Sequence, residues 1–216
     1  MPTYQTIYED EYVLIIDKPA GVEVAELPYP PAGGPAHRLD KDTSGLLVIA
    51  KNQKVLAKLQ EQFKNRQVQK EYVALVYGEI AETGEIVTEI VRDPSRKVPF
   101  VAKSVLTGEE RGNPRIAKTA WQTIKQIIIN GQQITLLKIK ITTGRTHQIR
   151  VHMKYLGHPI LGDKVYYTKP SRELSKRLGL TRQFLHAAQL QFNHPVTNKM
   201  LALSSDLPNE LQAVLE

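Results

Sequence analysis

Apolar positions along the 216 residues follow two rhythms. Short β-branched runs at 12–16 (YVLII), 45–50 (GLLVIA) and 72–77 (YVALVY) read as strands. The run 45–50 is apolar throughout and is expected to be buried on both faces. Residues 134–142 alternate, with Leu137, Ile139 and Ile141 on one side and Lys138, Lys140 and Thr142 on the other, as in a half-buried strand. A further strand is expected over 185–192. Helical spacing governs elsewhere. Leu56, Leu59 and Phe63 share a face over 55–63, with Asn52 as the cap. Ile149, His152, Met153 and Leu156 predict a helix over 146–156, capped by Thr146 and stopped by Gly157. Residues 207–215 predict a last helix with Pro208 in its first turn. The Pro/Gly-rich stretch 27–35 must be a loop, and the basic, Pro-punctuated stretch 92–118 reads as a long loop or flexible hairpin. No repeat, low-complexity segment or linker interrupts the pattern. The expectation is an α/β (α+β) fold, one domain over 1–216, with a mixed, largely antiparallel sheet flanked by helices.

Composition narrows the class. Hydrophobic residues make up 41% and charged residues 24%, as in ordinary globular chains. No apolar stretch approaches the ~20 residues of a membrane helix. The first five residues lack the layout of a signal peptide. Without cysteine there is no disulfide, thiolate metal site or cysteine nucleophile. A cytoplasmic monomer with no membrane partner is expected. The net charge of +7 and pI near 9.5 are the footprint of a nucleic-acid binder. Cations recur at Lys64, Arg66 and Lys70; at Arg92, Arg96, Lys97 and Lys103; at Arg111, Arg115 and Lys118; and at Lys164, Lys169, Arg172, Lys176, Arg177 and Arg182. That spread suits one wide basic face better than a tail, although solvated surface charge explains many of these residues singly.

Candidate chemistry centres on His37-Arg38-Leu39-Asp40-Lys41-Asp42-Thr43-Ser44-Gly45. It places a carboxylate between a cation and a tight polar turn, at the mouth of a buried strand. A calcium loop starting at Asp40 would need a bidentate Glu at its twelfth position, and Lys51 stands there. Asp42 is explained by turn bonding alone. A second run, Gly144-Arg145-Thr146-His147-Gln148-Ile149-Arg150, sets a guanidinium just ahead of a helix, where the dipole disfavours a cation unless a carboxylate offsets it. A third is Lys70-Glu71-Tyr72-Val73-Ala74, which alone is only a strand bearing a Tyr. The histidines have no metal-ligand spacing, and no phosphate loop or dinucleotide fingerprint is present. No metal and no cofactor are expected.

Together these runs resemble the RluA-like RNA pseudouridine synthases, from about Tyr8 to Pro208. The resemblance implies isomerisation of uridine within structured ribosomal or transfer RNA, with no cofactor. It implies that Asp40, Tyr72 and Arg145 are catalytic, with Arg145 paired to Asp40. It implies that Arg38, His37, Thr43 and His147 bind substrate, Arg38 filling the place of the displaced base. The basic segment 92–118, with Arg92, Arg96 and Lys97 foremost, and the cations from Lys164 to Arg182 are candidates for RNA contact. Many relatives carry a small N-terminal RNA-binding domain, which is not expected here, and the segment 22–36 is short beside theirs. Two other readings differ in class. A basic RNA-binding protein without catalysis would not need Asp40, Tyr72 and Arg145 together. A glycoside hydrolase would need a second carboxylate across the bond, and only Asp42 is near.

Overall fold

A computed structural model of the chain describes residues 3–93, 95, 97–104, 116–129 and 131–216. In chain order it forms β1 (Gln5–Glu9), β2 (Val13–Lys18), β3 (Gly34–Pro35), β4 (Ser44–Ala50), α1 (Gln53–Lys64), β5 (Gln69–Tyr77), β6 (Thr83–Arg92), β7 (Phe100–Lys103), β8 (Ile116–Ile129), β9 (Gln132–Ile141), α2 (Gln148–Tyr155), α3 (Lys169–Arg177), β10 (Leu185–Asn193), β11 (Met200–Ser204) and α4 (Asn209–Gln212). The chain folds as two compact units. The first is discontinuous, residues 1–72 with 186–216, and the second is residues 73–185.

In the first unit β2 pairs antiparallel with β1 and with β4. The other edge of β4 is divided. Its last residues pair antiparallel with β3, and its first residues, Ser44 and Gly45, pair in parallel with His186 and Ala187 of β10. β11 then pairs antiparallel with β10. All seven residues of β4 are buried, as the unbroken apolar run requires. Asn52 caps α1 by accepting from the Val55 N–H at 2.9 Å. Val55 and Leu59 of α1 join Val13, Ile15, Leu46, Val48 and Phe192 in one core.

In the second unit β9, β8, β6 and β7 form an antiparallel run in that order, with α2 packed against β6, β7 and β8. Ile90, Ala117, Val151 and Tyr166 are buried together there. The mixed, largely antiparallel character expected from the sequence holds, with β4–β10 pairing in parallel.

Of the two readings offered for 92–118, the hairpin fits its first part: β6 ends at Arg92 and pairs antiparallel with β7 over 100–103, and β8 starts at Ile116, while 105–115 lie outside the described residues. Two local expectations change. The helix expected over 146–156 begins only at Gln148, and its cap is His147, in the left-handed region at φ 56°, not Thr146. The last helix is one short turn, 209–212, with Pro208 at its cap. A further helix, α3, escapes a periodicity reading because its exposed face is strongly polar. Its signal is the start, where the Thr168 side chain accepts from Ser171 N and Pro170 follows in the first turn.

Candidate active site

The first unit builds the turn that carries Asp40. The Asp40 carbonyl accepts from the Thr43 N–H at 3.0 Å, closing a tight turn just before β4. Thr43 and Ser44 are buried inside it. Gly45, at φ 115°, is required there, because an added Cβ would fall on the Ala187 backbone of the parallel neighbour. A second anchor is Lys18, which is 0% exposed. Its ammonium donates to the carbonyls of Pro19 at 2.7 Å, Val22 at 2.9 Å and Lys41 at 3.0 Å, and the Lys41 carbonyl also accepts from Gly21 N–H at 3.0 Å. One buried cation therefore ties the end of β2 to the residue after Asp40. A third anchor is His186, whose ring bridges the Ser44 hydroxyl at 3.0 Å and the Ser205 carbonyl at 3.1 Å. The Ser205 hydroxyl donates to Asp17 at 2.8 Å.

His37 accepts from the Val48 N–H at 3.1 Å through Nε2 and stacks on Phe63, with ring centroids 4.7 Å apart. Burial, then the charge of Lys70, push its pKa down to about 3, so the ring stays a neutral acceptor. Lys70 lies over the Phe63 ring, and burial brings its pKa down to about 8. Arg38 is exposed. Tyr72 is buried, and its hydroxyl is pushed well above the ordinary phenol range, first by burial and then by the Asp40 carboxylate. The Tyr72 ring is therefore a neutral phenol held near a negative charge, suited to stacking and donation rather than to ready-made base chemistry.

The second unit positions Arg145. The Gln148 side chain is the hub. Its Oε1 accepts from the Thr143 hydroxyl at 2.8 Å and the Arg145 N–H at 3.1 Å, and its Nε2 donates to the Lys118 carbonyl at 2.9 Å and to Thr119 Oγ1 at 3.0 Å. Thr119 Oγ1 bonds His152 at 2.8 Å, and the other nitrogen of His152 bonds Thr88 at 2.9 Å. Burial lowers the pKa of His152 to about 4, so this relay runs through a neutral ring. The Arg145 side chain is exposed, and its Nε donates to the Ile116 carbonyl at 3.3 Å. His147 contacts the Tyr166 hydroxyl at 2.9 Å and meets Phe100 edge-on. Behind it, Arg150 grips Asp163 through two bonds, of 2.7 and 3.0 Å, and lies over the Tyr166 ring. Burial would push the Asp163 carboxyl up. Arg150 and the N–H groups of Val165 and Tyr166 overcome that and hold it below the usual range.

Of the residues singled out in the sequence, His37, Arg38, Asp40, Thr43 and Tyr72 belong to the first unit, and Arg92, Lys97, Arg145 and His147 to the second. Arg92 and Lys97 are exposed; Arg96 lies outside the described residues. Arg182, grouped by sequence with the surface cations, is instead buried and donates to the carbonyls of Gln183 and Leu185. Sequence reasoning misses Lys18, His186, Gln148 and the Arg150–Asp163 pair. Lys18 has a legible signal, a lysine continuing an apolar strand directly into Pro-Ala-Gly. Among the described residues no group of three or more His, Asp or Glu could hold a metal ion, and no helix is long and apolar enough to cross a membrane.

Residues 12–155 match a family model described as RNA pseudouridylate synthase. The chain is 35% identical to ribosomal large subunit pseudouridine synthase D of Nitrosomonas europaea, over 97% of this chain and 64% of that protein. It is 36% identical to ribosomal large subunit pseudouridine synthase C of Pasteurella multocida, over 98% of this chain and 67% of that one. The chain thus spans about two thirds of the length of these relatives. Among solved structures it is similar to human RNA pseudouridylate synthase domain containing 1, with a TM-score of 0.80 and 29% identity over 95% of this chain and 84% of that one.

Proposed function

The chain belongs to the RNA pseudouridylate synthase family, and from that premise we propose that it isomerises uridine to pseudouridine in RNA, with Asp40 as the catalytic carboxylate. The observation that carries this reading is the Asp40 turn itself, closed on Thr43 and anchored by the buried Lys18 ammonium and by the Ser44–His186 bond, beside the buried Tyr72 phenol, which is raised first by burial and then by the Asp40 carboxylate. The reaction breaks the bond between the anomeric carbon and N1, and joins that carbon to C5 of the same base. C5 gives up a proton and N1 gains one, so neither electrons nor atoms leave. Such chemistry needs an ionised carboxylate at the reacting centre, a flat group to hold the base while it turns, and a cation to balance charge. Asp40 supplies the first, Tyr72 the second, and Arg145, aimed by Gln148, the third.

The target uridine must leave its stack, at a few kcal/mol; Arg38, exposed two residues before Asp40, is the group to fill the gap. His37 holds the entry strand to β4 through Val48, so its part is to place Arg38. Thr43 supports the turn, and His147, tied to Tyr166, sets the start of α2 next to Arg145. The names of the relatives point to large-subunit ribosomal RNA as the substrate, met in the cytoplasm, with the exposed cations Arg92 and Lys97, and Arg96 between them, among the groups that meet phosphates. Asp40→Asn tests the assignment. It should fold, retain RNA affinity within about threefold and form no pseudouridine above background. Turnover near wild type in a tritium-release assay on uridine-labelled ribosomal RNA would refute it.

A further inference from the structure

A cavity of about 450 Å³ in the second unit lies between the 162–167 segment, the face of α3 and residues 180–181. We infer that this cavity is a phosphodiester-binding subsite for the RNA backbone, held by Lys164, Arg172 and Lys176. The inference rests on the RNA reading above and adds to it a place where substrate is gripped outside the Asp40 turn.

The geometry is that of an anion site. Arg172 and Lys176 stand four residues apart on α3, so they share one face of the helix, and Lys164 approaches from the preceding segment. Like charges at that spacing repel. Among the described residues no carboxylate lies within ion-pair distance of Lys164, Arg172 or Lys176. Asp163 also lines the cavity, but its oxygens are taken by Arg150 and by the N–H groups of Val165 and Tyr166. Its charge is spent inward.

Arg172 is also oriented in advance. Its guanidinium lies over the Tyr167 ring, 5.0 Å from the centroid, and Nη1 donates to the Tyr167 hydroxyl at 3.3 Å. That uses one of five N–H donors and fixes the plane of the others, which is what bidentate recognition of a phosphate asks of an arginine. Thr181 adds a hydroxyl at the rim. The wall behind is rigid, because Ser175 accepts from Gly162 N–H at 2.8 Å and donates to the Ser171 carbonyl. The volume admits a phosphate with its ribose.

Arg172 and Lys176 are exposed, so the double variant Arg172→Gln/Lys176→Gln should melt as wild type does. With unmodified large-subunit ribosomal RNA as probe, its affinity at about 0.15 M salt should fall roughly tenfold. The plot of log K against log salt should flatten by about 0.7–0.9 for each phosphate no longer neutralised. KM should rise by more than kcat falls. Unchanged affinity and slope, with Asp40→Asn still inactive, would overturn the subsite and leave the pseudouridine reading standing. An active Asp40→Asn enzyme would remove that reading instead. A second measurement identifies the occupant. RNA should protect Lys164 and Lys176 from amine acylation, while inorganic phosphate at 1:1 and polyglutamate should not (about one equivalent of phosphate cannot compete with water at a shallow site). Equal protection by polyglutamate would assign the cavity to an acidic protein, and protection by phosphate alone to a free anion; either would overturn the RNA subsite.

Discussion

Replacing Lys18 by Met tests whether a buried cation, and not the turn alone, holds Asp40 in place. The substitution keeps an unbranched side chain of similar length and removes only the ammonium. Three carbonyls, of Pro19, Val22 and Lys41, lose the ammonium's hydrogen bond. Hydrogen bonds to a charged group contribute about 1.5–3 kcal/mol each, so three sum to roughly 4.5–9 kcal/mol before relaxation. Against this, the folded state no longer buries an ion whose desolvation costs several kcal/mol. The net destabilisation should be about 2–4 kcal/mol, which for a chain of this size lowers Tm by roughly 5–15 °C. The loss should also reach function. The Lys41 carbonyl, freed from one of its two donors, lets Asp40 drift, and a displacement near 1 Å at a reacting group costs about 100-fold in rate. RNA affinity should hardly change, because Lys18 is 0% exposed and meets no substrate. The assays are a melting curve, an RNA-binding titration and single-turnover pseudouridine formation. A variant with wild-type Tm and wild-type single-turnover rate would refute the reasoning. A lower Tm with an unaltered rate well below Tm would leave Lys18 as a fold anchor and dismiss it as a positioning residue.

Two further tests concern charge. Arg145→Met should lower turnover by about 100- to 1000-fold while RNA affinity stays within threefold, and Arg145→Lys should recover part of the rate; equal rates for Met and wild type would show that Arg145 does not serve the Asp40 carboxylate. Stability should fall on acidification because the folded state holds His37 and His152 neutral, with pKa values of about 3 and 4 against about 6.5 unfolded. The unfolded chain binds the extra protons, so stability is full above about pH 6.5 and is lost as pH falls toward those folded values. Between pH 7 and pH 5 each ring should contribute a loss of up to about 2 kcal/mol, and His152→Gln should remove its share. Denaturant titrations of both proteins at the two pH values read this directly, and a pH-independent wild type would contradict it.

The main frame is legible in the sequence where burial and pattern agree. The unbroken apolar stretch 45–50 could only be a buried strand, and Asn52 before Leu56 and Leu59 could only start a helix. Legibility fails where the deciding partner is distant. Nothing local to Ser44 announces His186, and nothing near Arg145 announces the relay through Thr119 to Thr88. The displaced helix start has a different cause: Thr146 is a better cap by type, but Gln148 takes the Arg145 N–H and the Thr143 hydroxyl, and this pulls the first turn one step on. The strand inside the basic stretch after Arg92 is hard to read because β7 is only four residues long, Phe100–Lys103, and is followed by further polar residues. Arg182 resembles surface charge for want of any local sign that its guanidinium folds onto the carbonyls of Gln183 and Leu185.

The parallel seam between β4 and β10 has a consequence for how the protein is made. Ser44 and His186 are 142 positions apart. At roughly 5–20 residues per second of synthesis, β4 waits about 7–30 s on the ribosome before its partner is translated. The intervening 73–185 are contiguous and can collapse during that interval, whereas the first unit cannot close until its last segment arrives. Throughout the wait the start of β4, at Ser44 and Gly45, lacks its β10 partner while β3 covers the other end of that edge, and an unpaired strand edge is the kind of surface that recruits other nascent chains. The Asp40 turn, whose Ser44 end leans on that seam, is therefore among the last parts to set, and nascent chains halted before residue 186 should be the ones that depend on chaperones.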